Sequence, residues 1–159
     1  NSSTIVLLNQ LREDDEEYSM FWPTEKAKPQ SFGATTVMLD SFCKKGNIVI
    51  RKFIVSSSAG YLGKRYFIAT QTPLEETIND FWRMVCQHNS STIVLLNQLQ
   101  EDDEEYPMFW PTARAKPQSF GATTVMFDSF IKKESIVIRK FIVSSSADLR
   151  DCRMVRMIH

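Results

Sequence analysis

The chain has 159 residues, 19 Lys and Arg balanced by 19 Asp and Glu, and an apolar fraction of 43%. Those values fit one ordinary globular domain's worth of chain and lack the basic balance of a nucleic-acid binder; no apolar run nears the roughly 18–20 residues of a membrane span. No basic-then-apolar leader opens it, so it reads as soluble, with no direct membrane insertion and no nucleic-acid partner.

Asn1–Ala59 returns as Asn89–Ala147, a shift of 88 positions without a gap, and only eight of the 59 pairs differ. The differences are Arg12/Gln100, Ser19/Pro107, Glu25/Ala113, Lys26/Arg114, Leu39/Phe127, Cys43/Ile131, Gly46/Glu134 and Asn47/Ser135. Stacked repeat arrays use units of roughly 20–50 residues and at least three of them, so this is a tandem duplication and not a solenoid. The junction at Ala59/Gly60 cuts across a unit. Copy two continues as DLRDCRMVRMIH, whereas copy one continues as GYLGKRYFIAT. Residues 1–59 therefore read as an incomplete first copy and 60–159 as the more coherent partial domain. Two nearly identical TIVLLN strands would compete for one slot in one sheet, with association through unpaired strand edges as the hazard. The first copy is expected either to extend the sheet as strands or to pack poorly.

Between the copies, Tyr66–Ala69 is aromatic and β-branched enough for a short strand. Thr72-Pro73-Leu74-Glu75 then carries a capping-box pattern, which predicts a helix start. Leu74, Ile78, Phe81, Trp82 and Val85 form one apolar helical face, with Glu76, Asn79 and Arg83 elsewhere. Strands follow at Thr92–Leu96, Ala122–Phe127, Ile136–Val143 and Met154–Ile158. The acidic tract Glu101–Glu105 reads as a solvated connection anchored by Phe109-Trp110-Pro111, with Glu13–Glu17 and Phe21-Trp22-Pro23 as the first copy's counterparts. This order predicts an α/β (mixed α+β) fold, a mixed twisted sheet with a packed amphipathic helix.

Cys43, Cys86 and Cys152 are odd in number and lack a CxxC spacing, which favours reduced thiols over a disulfide framework. Asn1-Ser2-Ser3 and Asn89-Ser90-Ser91 would matter as glycosylation sequons only in a secreted chain. Cys86-Gln87-His88 has no second pair to complete a metal site, and the acidic tracts lack the glycine and alternating ligands of a calcium loop. Lys44-Lys45, Arg51-Lys52, Lys132-Lys133 and Arg139-Lys140 read as ordinary surface charge in preference to a site for a phosphopeptide or anionic lipid. Tyr18 and Tyr106 read as aromatics packed beside their loops in preference to kinase targets.

Four segments in order, YFIATQTPLEETINDFWRMV, STIVLLNQL, MFWP and IVIRKFIV, resemble the middle of a protein-tyrosine phosphatase domain. The first is similar to the family's YIATQGP and DFWxM signatures, and MFWP is similar to its QYWP. Thr72 stands where the family's catalytic domains usually have Gly, and Cys86 where a Trp commonly completes DFWxMxW. Loosened signatures of this kind resemble the second, membrane-distal cytoplasmic domain of receptor-type members, which is often weakly active or inactive and regulatory.

The resemblance implies phosphotyrosine hydrolysis by a Cys nucleophile in HCxxGxxR, with an Asp of a WPD loop as acid and base. Neither motif occurs in the chain: neither His88 nor His159 precedes a Cys, and Trp22-Pro23 and Trp110-Pro111 are each followed by Thr. No catalytic, cofactor-binding or metal-ligating residue is assigned, no cofactor is expected, and the chain by itself is expected to be inactive. The resemblance implies a cytoplasmic location, and a phosphotyrosine protein or another phosphatase domain as partner through the parent protein. Two readings follow: a segment of a receptor-type tyrosine-phosphatase-like protein, or a non-catalytic interaction module or functionless remnant.

Overall fold

The computed structural model describes residues 3–8, 29–32, 35–45, 48–57, 65–96, 108–146 and 148–159. The acidic tracts, Phe21-Trp22-Pro23, Tyr18 and Tyr106 lie outside the described residues. Strands run β1 (Ser3–Leu8), β2 (Gln30–Phe32), β3 (Thr35–Lys45), β4 (Ile48–Ser57) and β5 (Arg65–Gln71). A short 3-10 turn (Glu75–Thr77) and helix α1 (Ile78–Gln87) follow, then β6 (Thr92–Leu95), β7 (Pro117–Phe120), β8 (Thr123–Lys133), β9 (Ile136–Ser145) and β10 (Asp148–Ile158). Every expected strand is present, and β8 and β10 are longer than their apolar cores suggested.

The ten strands among the described residues join one mixed sheet in the order β2-β3-β4-β5-β1-β6-β10-β9-β8-β7. The two identical strands lie side by side at its centre. β1 pairs parallel with β6, Thr4 opposite Thr92 and Ile5 opposite Ile93, and parallel with β5 on its other side. Neither has a bare edge, because the slot widened to hold both. The sheet's ends are instead β2 and β7, of three and four residues, and β7 starts at Pro117. Short edges and an edge proline discourage pairing with another chain.

The helix starts later than the Thr72 pattern suggested. Thr72 is fully buried, and the Thr77 hydroxyl both accepts from Leu74 N–H at 2.9 Å and donates to Leu74 C=O at 3.1 Å. That local pairing holds a 3-10 turn ahead of α1. Ile78, Phe81, Trp82 and Val85 are buried as the periodicity required, and Met84 joins them. At the other end Ser90 N–H bonds Val85 C=O and Asn89 N–H bonds Cys86 C=O, both at 3.0 Å, with Asn89 at φ 51°. This is a Schellman ending with Asn in the left-handed position. Arg153 of β10 clamps it, donating to Asn89 Oδ1 at 2.6 Å and to Cys86 C=O at 3.3 Å.

The main core lies between α1 and one face of the sheet. Trp82 is fully buried, stacks on Phe120, meets Phe141 edge-on and donates its indole N–H to Phe109 C=O at 2.7 Å. Phe109 and Trp110 are buried, as their anchoring role required. Ile5, Leu7, Ile68, Ile93, Val155 and Met157 complete this face. A separate small cluster, Leu39, Phe53 and Ala69 with Val37 and Phe67 against it, occupies the opposite face. No helix among the described residues is long and apolar enough to cross a membrane.

Candidate functional site

The two core faces arise from a difference in register. Across the sheet, Ile68, Ile5, Ile93 and Met157 form one row, and its ends fall on Lys52 in β4 and Arg139 in β9. Arg139 is the copy of Arg51, so the two hairpins sit one residue out of step. Side chains alternate faces along a strand, so a one-residue slip turns every one of them over. Phe141 and Val143 therefore face α1, while Phe53, the copy of Phe141, joins the cluster on the far side.

The slip carries Lys52 to the helix side, where the first copy's hairpin and α1 leave a cleft of ≈ 300 Å³. Its walls come from Ser41 and β4 residues Ile50 and Lys52, from Ile68, Thr70 and Gln71 of β5, and from Thr77, Asp80, Phe81, Arg83, Met84, Gln87 and His88. Ile68, Phe81 and Met84 are buried and make an apolar floor. Charges gather at the rim. Asp80 and Arg83 pair at 2.6 Å one helical turn apart, and the β3 bulge between Leu39 and Ser41 turns Asp40 to Lys52 at 3.4 Å. The same bulge in β8 has another outcome, because Asp128 there accepts the Ser129 hydroxyl at 2.7 Å.

Burial, and second the Lys52 ammonium, hold the His88 imidazole below its ordinary value of 6.5. It is therefore neutral at pH 7, with Arg153 and the Schellman turn fixing the backbone that presents it. A neutral imidazole beside an ammonium can bind an anion. Cys86 is not in the cleft walls and places its Sγ 3.9 Å from the Thr123 hydroxyl. Among the described residues no group of three or more His, Cys, Asp and Glu could hold a metal ion.

Arg51-Lys52 and Arg139-Lys140 were expected to be surface charge, and the structure divides each pair. Arg51 is buried on the far face and Lys52 lines the cleft. Arg139 lies 5.5 Å over the Trp110 ring, in a second groove of ≈ 300 Å³ with Met108, Phe130, Val137 and His159. No motif marks Lys52 or His88 as neighbours. The only sequence signal was that Arg51-Lys52 sits inside an apolar strand, where one of two adjacent side chains must point inward.

Comparison with known sequences adds ancestry. The profile described as protein-tyrosine phosphatase matches residues 1–61 and again residues 56–159. The chain is 40% identical over 105 residues to receptor-type tyrosine-protein phosphatase epsilon of Rattus norvegicus, which covers 63% of this chain and 15% of that protein. It is 39% identical over 100 residues to tyrosine-protein phosphatase 99A of Drosophila melanogaster, 63% of this chain and 7% of that one. Receptor-type tyrosine-protein phosphatase alpha of Homo sapiens is 34% identical over 100 residues, 62% of this chain and 12% of its own length. The aligned stretch is thus a small fraction of each relative.

Proposed function

The chain belongs to the protein-tyrosine phosphatase family, and from that premise we propose that it is a non-catalytic scaffold segment of a receptor-type member. One observation carries the reading: the family profile matches both copies, yet the sequence contains neither HCxxGxxR nor a WPD loop. Without the thiolate in its anion-binding loop no phosphoryl group is attacked, and without the Asp no leaving oxygen is protonated. Any phosphatase chemistry of the whole protein then depends on other residues.

The membrane-distal, regulatory kind of domain is the subtype we favour. Its support is the use made of the two departures: Thr72 is fully buried and Cys86 packs its sulfur toward Thr123, so both serve packing. This reading puts the segment in the cytoplasm, with another phosphatase domain as its partner. The deciding experiment incubates the purified chain with p-nitrophenyl phosphate and a phosphotyrosine peptide. Phosphate release equal to the protein-free blank is expected. Release above the blank that vanadate inhibits would overturn the proposal.

A further inference from the structure

The cleft between α1 and the first copy's hairpin combines features that ligand sites share: a concave, mostly apolar surface of about 300–1,000 Å³ with a few convergent polar groups. At ≈ 300 Å³ it lies at the small end. Its floor of Ile68, Phe81 and Met84 offers apolar contact without a polar group to satisfy. Lys52 and His88 both line the cleft, and the ammonium adds to burial in lowering the imidazole's pKa.

We propose that this cleft binds a small organic monocarboxylate, with its carboxylate between Lys52 and His88 and its apolar body over Ile68, Phe81 and Met84. Charge selects the monoanion. Asp40 grips Lys52 at 3.4 Å from outside the cleft wall, and Asp80 lies on the opposite rim beside Arg83. These two ion pairs cancel in net charge, so the cleft has no surplus cation to offset the larger desolvation cost of a dianion such as a phosphate ester. A neutral imidazole can donate its N–H to the carboxylate, and the bound negative charge then favours imidazole protonation.

The duplication supplies an internal control. Lys140 is the copy of Lys52, but the register slip places it on the sheet face away from α1, paired across to Arg156. The two lysines share their flanking sequence from Ile48 to Ala59 and from Ile136 to Ala147. Only one of them lines the cleft. A general attraction of anions to basic strands would use both; a built site uses Lys52 alone.

The test titrates the full chain with 3-phenylpropionate while following the His88 ring and Met84 methyl resonances by NMR. Saturable shifts at both, and a rise of the His88 pKa in the complex, are expected. Lys52→Met should weaken binding about tenfold or more, the usual scale for a lost charged hydrogen bond, while Lys140→Met leaves it unchanged. Lys52→Arg keeps the charge and should retain most of the binding, which separates loss of the cation from loss of fold. The uncharged 3-phenylpropan-1-ol and the dianionic phenyl phosphate should both bind more weakly. Absence of saturation, equal losses in the Lys52→Met and Lys140→Met chains, or binding of the alcohol or phosphate at least as tight as the carboxylate would each overturn the assignment.

Discussion

Phe53 and Phe141 occupy one position in two copies of a single hairpin, yet they end on opposite faces of the same sheet. Their own strands cannot be the cause, because Ile48–Ser57 and Ile136–Ser145 are identical. The neighbouring strands differ. β10 gives Arg153, Val155 and Met157 to the helix side and leaves Met154 exposed on the other, so β9 buries its Phe beneath Trp82. β5 offers Phe67 and Ala69 on the far side, where Phe53 and Leu39 find cover, and β4 is shifted by one residue to reach them. A strand's pattern fixes which residues share a face; its neighbour fixes which face that is.

This comparison can be broken by the same substitution at both places. Phe141→Ala removes a fully buried ring from the aromatic group around Trp82 and should cost about 3–5 kcal/mol in denaturant unfolding. Phe53→Ala empties a smaller cluster and should cost about 0.5–3 kcal/mol, the range of most substitutions. Equal losses would mean that the two hairpins bury their aromatics alike.

A smaller effect concerns the cleft. His88 titrates below 6.5 in the folded chain, so the unfolded chain binds its proton first as pH falls. Its part in stability is whole above pH 6.5 and declines as pH drops through that value, levelling off below the folded pKa. His88→Asn should flatten this portion of the stability profile, measured as urea midpoints on both sides of pH 6.5. A profile with the same slope as the parent chain would remove His88 from the cleft's electrostatics.

Much of residues 60–159 was legible in the sequence because local rules suffice there. The apolar spacing from Ile78 to Val85 marks a helix face, and Phe109-Trp110 sits as an anchor should. The helix begins later than the Thr72 pattern predicts, since the Thr77 hydroxyl, and not Thr72, organises the first turn. The cleft was hidden for a stronger reason. Lys52 and His88 lie far apart in the chain, and their meeting depends on a register that no pattern within Ile48–Ser57 encodes. Identical letters gave identical strands, and only the partners β5 and β10 distinguished their orientations.

The central claim is that the two TIVL segments, Thr4–Leu7 and Thr92–Leu95, are seated together, parallel and in register, within one sheet. A methyl-resolved NOE experiment on the selectively isoleucine-labelled monomer tests it most directly. Cross-peaks linking Ile5 to both Ile68 and Ile93 are predicted. A direct Ile68–Ile93 contact of adjacent-strand intensity, with Ile5 contacting neither, would contradict it and show that the second copy closes its sheet without the first.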